Sequence, residues 1–382
     1  MATSPDLRDM LLNYLGKSAL TNKSNKSFAR EGEQDDIWLY DPDASEVLMA
    51  SRSFYAYFTP VIMVIGFIGN SLSLNVFLSK NMRRLSASVY LAVLSGSDLA
   101  TLFFYVTVEW LRRGFTHICP DSRIEFLDAN GVCQIQLYLS YVSRFLSAWI
   151  VVAFTIERCI GVCYPLHRRY FCTKTATRRC IITIFIMALT LSLYKPLLSG
   201  VYIHGNGDRY CASDPEYGFA SFVIDNVFAV LIAVVPFIII TILNAKIVCT
   251  ILMRNKRNKE REFVFERSAI KVELTFTLFA ISVCFVLFNV PFFSVWFRNF
   301  FNSKYFSNEN DIGDASNFDY WQGILYITRT LFYINYCINF FLYSITGTYF
   351  RREVKLLFSF RPMESSGMPT KVTSMNTIQT WV

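Results

Sequence analysis

Charge is scarce in this chain, and histidine scarcer. Of its 382 residues 17% are Asp, Glu, Lys or Arg, and three are His. A soluble domain carries about 25% charged residues, so this composition is a poor match to a protein solvated by water on every side. No His-Glu-x-x-His pair, phosphate-cradling Gly-rich loop or nucleophile elbow is present. The metal-hydrolase, nucleotide-hydrolase and acyl-transfer classes therefore lack their residues, and no enzymatic activity is expected. Internal repeats are missing too, which argues against a transporter built of duplicated halves. Residues 53–79, 180–194 and 274–297 contain no charged side chain at all.

What fills the space is apolar. Hydrophobic residues make up 53% of the chain, with 36 Phe and 21 Tyr. About 20 apolar residues in a helix cross a bilayer, and a backbone in lipid must satisfy its own hydrogen bonds. Seven such blocks occur, at residues 54–79, 87–111, 131–162, 180–203, 218–252, 272–297 and 321–346. The expected fold is thus an all-α membrane protein, a bundle of seven transmembrane helices over residues 54–346. Residues 347–360 follow as an eighth, amphipathic helix on the membrane surface. Tyr349, Phe350, Val354, Leu357 and Phe358 form one face, and Arg351, Arg352 and Lys355 another. Residues 1–53 are expected to be a disordered extracellular segment, without a signal-peptide core, and 361–382 a cytoplasmic tail.

Basic residues cluster after the first block (Lys80, Arg83, Arg84), after the third (Arg168, Arg169, Lys174, Arg178, Arg179), after the fifth (Arg254, Lys256, Arg257, Lys259, Arg261) and in the tail. All four clusters fall on one side of a seven-span chain, which the positive-inside rule makes cytoplasmic. The amino terminus is then outside, where the sequons at Asn22 and Asn25 are candidates for glycosylation. Three of the ten cysteines, Cys119, Cys133 and Cys211, face the same side. A Cys133–Cys211 bridge would pin the loop between spans four and five over the mouth of the bundle and is the expected pairing. Cys119–Cys133 is the alternative, and connectivity stays open from sequence.

A set of short motifs runs along the spans in order. The first ends in "GFIGNSLSLNVFL" with Gly69 and Asn70, the second reads "LAVLSGSDLA" with Asp98, and the third ends in "ERCIGVCYPL" with Pro165. The fifth contains Pro236, the sixth "FVLFNVPFF" with Phe285 and Pro291, and the seventh "NYCINFFLY" with Tyr343. Singly these are weak; together, in order and at this spacing, they resemble a rhodopsin-like (class A) G-protein-coupled receptor. The "INFFLY" and "FNVP" variants are similar to invertebrate neuropeptide receptors of the FMRFamide type. The departures are Cys159 for the usual Tyr, Asn289 for the usual Trp, Phe340 for the usual Pro, and a fourth span without Trp.

The resemblance implies a receptor on the plasma membrane that binds an extracellular ligand, a neuropeptide by preference, and activates heterotrimeric G proteins; arrestin is a further partner. A receptor of the same fold for a non-peptide ligand, or a transporter or channel, is the alternative, and no nucleic acid partner is expected. Retinal is excluded because residues 320–350 contain no Lys. An intramembrane charge is costly and usually functional. Asp98 is the only charge between Arg84 and Glu109, so it is expected inside the bundle, with Ser147, Asn335 and Asn339 as partners. Asn335 and Asn339, four residues apart, are expected on one helical face. In the family such a group holds a sodium ion, the only cofactor considered; a hydrogen-bonded or protonated carboxylate without an ion is the alternative.

Glu109, Arg144, Lys195, Asp225 and Arg329 interrupt the outer halves of the spans and are the candidate ligand residues. Arg144 or Arg329 would meet a carboxylate or carbonyl of a peptide; internal pairing, such as Arg329 with Glu109, is the competing reading. The acidic outer loops suit a basic or amidated peptide, and an Asp on the third span near Tyr141, which an amine would need, is missing. Glu157, Arg158, Phe285, Pro291 and Tyr343 are the candidate activation switch. Arg158 is expected to point into the bundle, restrained by Glu157. The family's sixth-span acid is replaced by Lys271. The tail has no Cys after Cys337, so Phe350, Leu357 and Phe358 are expected to hold the amphipathic helix to the membrane lipid. Its last residues, Thr380, Trp381 and Val382, fit a carboxyl-terminal ligand of a PDZ domain.

Overall fold

The computed structural model describes residues 45–120, 122, 124–203, 209–258, 266–301 and 315–358. The sequons at Asn22 and Asn25 and the carboxyl-terminal Thr380, Trp381 and Val382 lie outside the described residues, as does the side chain of Lys271.

The apolar runs fold as helices. Helix α1 spans Glu46–Leu78, α2 Ser86–Ile118, α3 Val132–Cys163 and α4 Lys174–Leu191. A hairpin follows, β1 Ser199–Ile203 antiparallel to β2 Arg209–Ser213, with Val201 opposite Cys211. Helix α5 is assembled from Gly218–Ala229, a π-helical stretch Val230–Val234 and Val235–Asn258. Next come α6 Glu266–Phe301, α7 Ala315–Ile334, α8 Asn339–Thr346 and α9 Thr348–Phe358. Six helices among the described residues are long and apolar enough to cross a membrane; α7 and α8 together make a seventh, interrupted passage. Helix α1 lies against α2 and α7, α2 against α3, α3 against α4 and α5, and α6 against α7.

Several element boundaries depart from the apolar blocks. Helix α1 begins at Glu46, eight residues earlier than expected, because Ser45 caps it: its hydroxyl accepts from the Leu48 amide at 3.4 Å, and its own amide donates to Asp319 on α7 at 2.9 Å. The fourth block does not continue as helix to residue 203. Helix α4 stops at Leu191, and Ser199–Ile203 pair as a strand instead. Apolar composition alone does not distinguish a short buried strand from the end of a span. In α5 the π stretch ends just before Pro236, whose missing N–H and bulky ring disrupt the regular ladder. The Trp149 indole of α3 donates to the Leu231 carbonyl there at 3.1 Å.

The seventh passage breaks at residues 335–338, which form turns rather than helix. Asn335 and Asn339 therefore do not share one continuous helical face, contrary to expectation. The family's proline is replaced by Phe340, so the break has another cause. The Asn70 amide of α1 donates to the Tyr336 carbonyl at 2.7 Å, capturing a group that a continuous helix would use internally. Gly69 makes the approach possible, since a Cβ there would sit 2.9 Å from the Cβ of Phe340. Helix α9 also differs in detail. Phe350 is 3% exposed and packs on Phe77, Phe340 and Tyr343. It anchors α9 to the bundle and not to lipid, leaving Leu357 and Phe358, 49% and 61% exposed, as the apolar surface.

Candidate functional site

Asp98 sits at the centre of the bundle, fully buried. Its Oδ1 accepts from the Ser147 hydroxyl of α3 at 2.6 Å, and its Oδ2 from the Asn339 amide at the start of α8 at 2.7 Å. A buried carboxylate needs such donors, and these join α2, α3 and the seventh passage through one side chain. Asn335 is not bonded to Asp98. Instead it lines a small cavity of about 10 Å³ with Arg144, Ser147, Ile232, Phe285 and Asn289. Asp98, Ser147 and Asn335 supply hard oxygen donors of the kind an alkali cation takes, so these residues suit a sodium ion chemically. Phe285 is buried, and the Asn289 amide donates to its carbonyl at 2.6 Å, shortly before Pro291 inside α6. The Tyr343 ring packs between Phe77 and Phe350, its hydroxyl buried and without a hydrogen-bond partner.

Toward the hairpin end the interior charges gather in two groups. The Cys133–Cys211 disulfide, the expected pairing, fixes the hairpin to the first turn of α3. Cys119 is a free, partly buried thiol. In one group Asp225 of α5 accepts from Lys195 at 2.7 Å and from the Tyr141 and Tyr194 hydroxyls at 2.8 Å each. In the other, Oε2 of Glu109 accepts from Arg329 at 2.9 Å and forms an ion pair with Arg113 at 3.0 Å. The competing reading of Arg329, internal pairing with Glu109, is the arrangement present. Arg144 belongs to neither group. Its guanidinium lies 4.2 Å from the Tyr105 ring centre and 4.4 Å from that of Tyr141, and its Nε donates to the Ser140 carbonyl at 3.1 Å. Helix α2 has π-helical stretches at Leu102–Thr107 and Leu111–Phe115, on either side of Glu109. Such local widening often accompanies functional positions.

At the opposite end of α3, Glu157 is buried, and its strongest contacts are not with Arg158. Its Oε1 accepts from Ser86 at 2.7 Å, at the start of α2, and its Oε2 from Thr177 of α4 at 3.0 Å. The Arg158 contact is longer, 3.4 Å, and the Arg158 guanidinium lies 5.0 Å from the Phe154 ring. Glu157 thus ties three helices together besides touching its neighbour. Cys172, in the connection to α4, donates its thiol to the Glu157 carbonyl at 3.5 Å. Burial first, and the Glu157 carboxylate second, push that thiol above its usual range, which keeps the proton on sulfur. Cys159, in place of the usual Tyr, faces Cys163 at 3.9 Å.

The family described as "7 transmembrane receptor (rhodopsin family)" matches residues 69–343, from the Gly-Asn of α1 to Tyr343 of α8. The chain belongs to that family. The receptor is 29% identical over 229 residues to a probable G-protein coupled receptor of Caenorhabditis elegans, covering 54% of this chain and 50% of that protein. It is 28% identical over 157 residues to an FMRFamide peptide receptor of the same organism, covering 38% and 34%. These two alignments span half or less of the relatives' length. A cysteinyl leukotriene receptor of Sus scrofa is 24% identical over 331 residues, covering 84% of this chain and 89% of that receptor. The family and these relatives are receptors rather than enzymes, and with its membrane-length helices this receptor is a multi-pass protein of the plasma membrane.

Side chains that sequence reading passed over carry much of the receptor's polar interior. Tyr105, Tyr141 and Tyr194 hold Arg144 and Asp225, Arg113 shares Glu109, and Ser86 and Thr177 hold Glu157. Arg113 was the most legible of them, four residues after Glu109 and so one helical turn away. The tyrosines resemble any others in a chain with 21.

Proposed function

We propose that the receptor faces the extracellular side with its hairpin, binds a peptide between the hairpin and Asp98, and activates a heterotrimeric G protein at its opposite, basic end. The observation behind this reading is the convergence of Tyr105, Tyr141, Arg144, Tyr194, Asp225 and Arg329 beneath the disulfide-anchored hairpin. Polar and aromatic groups at that depth suit a peptide backbone and side chains better than lipid contact. The FMRFamide peptide receptor among the relatives supports a peptide, and the basic connections support an amino terminus outside and a carboxyl terminus inside. Ligand binding would favour one packing of the bundle by its difference in affinity between two. Arg144 lies 14 residues from Arg158 on α3, about 21 Å along one rigid helix. Sodium at Asp98, arrestin and a PDZ protein on Thr380–Val382 belong to the same proposal.

A second reading has its own support: the leukotriene receptor aligns over most of both chains, which favours an acidic lipid. The test is expression in cells with calcium and cyclic-AMP readouts against a library of neuropeptides and lipid mediators. A peptide response is expected. A response only to lipids would replace the ligand class, and ion flux without G-protein activation would overturn the reading of the receptor as a G-protein activator.

A further inference from the structure

Among the described residues, the interior beneath the hairpin carries more positive than negative charge. Four cationic side chains lie there, Arg113, Arg144, Lys195 and Arg329, against two acids, Glu109 and Asp225. The balance is the reverse of that in the acidic outer loops. Asp225 is fully engaged, with one ammonium and two tyrosine hydroxyls on its two oxygens. Glu109 serves two arginines through a single oxygen. Among the described residues no acid pairs with Arg144 at all.

The surroundings of Arg144 are those of a waiting cation. Tyr105 and Tyr141 lie against its guanidinium and Phe228 is 5.9 Å away, so aromatic groups supply the cation–π attraction that tolerates the charge. Both phenols contact the cation through their rings, and the Tyr141 hydroxyl is already committed to Asp225. Among the described residues, Nε of Arg144 donates to the Ser140 carbonyl and no other hydrogen bond of its guanidinium is found. The terminal fork, whose geometry matches a carboxylate with two parallel bonds, has no such partner among the described residues. Arg144 also lines the 10 Å³ cavity with Phe285, Phe332 and the amides of Asn289 and Asn335. A ligand group entering there meets a cation, two amides and aromatic walls. One turn further along α3, Ser147 binds Asp98, so the anchor abuts the polar centre.

We infer that the activating ligand carries a carboxylate beside an aromatic or apolar group, and that Arg144 is its anchor. This rests on the receptor reading above and narrows it: a free acid is recognised, where the loops alone suggested a basic or amidated peptide. A cationic ligand group would add to an excess of positive charge; a carboxylate removes part of it. The cavity is small, so a bound carboxylate would widen the space that Arg144 shares with Phe285 and Phe332. That movement links ligand to helix α6.

The test uses the purified full-length receptor in lipid nanodiscs, with thermal stabilisation as the readout. N-acetyl-phenylalanine is compared with N-acetyl-phenylalaninamide, and arachidonate with arachidonyl alcohol. In at least one pair the acid should bind about 10- to 100-fold more tightly than its neutral partner, the range of one charge-assisted contact. R144Q should abolish that preference and R144K retain part of it. N289D, which leaves Arg144 in place and offers it an internal acid, should also abolish it and serves if R144Q does not fold. The pair that responds tells a peptide terminus from a lipid acid. Equal or tighter binding of both neutral partners, no stabilisation by either acid, or an acid preference that survives R144Q or N289D would overturn the inference. Basal nucleotide exchange on added G protein is measured in parallel. Exchange without acid preference defeats the anchor alone, and acid preference without any exchange defeats the receptor reading alone.

Discussion

Replacing Thr177 with Val tests whether Glu157 acts as a lock on Arg158 or as an anchor between helices. Thr177→Val leaves both charges of the Glu157–Arg158 pair intact and removes only the 3.0 Å hydroxyl contact from α4. A hydrogen bond to a charged group contributes about 1.5–3 kcal/mol, and the buried carboxylate has no spare donor beyond Ser86 and the long Arg158 contact. Were that contact confined to the packing seen here, losing about 1.5 kcal/mol would shift the ratio of the two packings roughly tenfold. Glu157→Gln, by contrast, keeps oxygen and shape but removes the charge. It weakens two hydroxyl contacts by about 1 kcal/mol each and leaves Arg158 without a counter-charge. The distances favour the anchor, so both variants should raise basal G-protein activation, normalised to surface receptor, by similar factors of several-fold to tenfold. Ser86→Ala should follow them. A rise with Glu157→Gln and none with Thr177→Val would refute the anchor in favour of the ion pair. No change with either would refute a resting restraint at Glu157 altogether.

Three further outcomes are expected. Asp225→Asn should destabilise the receptor by about 3–5 kcal/mol, because it leaves Lys195 buried beside two tyrosines. Combining Lys195→Met with Asp225→Leu should recover most of that loss in a thermal-inactivation assay; failure to recover would show that the pair does more than neutralise itself. If sodium occupies the Asp98 site, sodium chloride at ten times its dissociation constant should stabilise the receptor by about 1.4 kcal/mol over choline chloride. Asp98→Asn should erase that difference, and its persistence would remove Asp98 from the site. Cys211→Ser opens a link between residues 78 apart, for which loop-closure entropy gives about 4.5 kcal/mol as an upper bound in a chain already held by its spans. Reduced surface expression and a lowered unfolding temperature should follow, and unchanged stability would count against a structural role for the bridge.

How far the sequence could be read depended on the range of each interaction. Asp98 was legible because one charge in a long apolar run has to be buried, and Ser147 and Asn339 were within reach of motif spacing. Asn335 does not join Ser147 and Asn339 on Asp98 because residues 335–338 form turns where a continuous helix was expected. The hydrogen bond that breaks it comes from Asn70, 266 residues away. Glu109 and Arg329 were recognised as charges in the bundle, but their pairing spans 220 residues, and either residue could equally have faced a ligand. Arg144 shows the converse. That no acid among the described residues pairs with it is a property of the helices packed around it.

The sequence by itself determined that the chain is a multi-pass membrane protein, since long charge-free runs enter a bilayer by transfer free energies that depend on local composition. It also determined the family, because motif order and spacing survive in the chain without reference to its folding. Only the tertiary structure decided which charges neutralise one another, and that Glu157 holds Ser86 and Thr177 on two other helices as well as its neighbour Arg158. Those outcomes depend on distances of a few ångströms between residues far apart in the chain, and electrostatic energy in a low-dielectric interior depends on such distances.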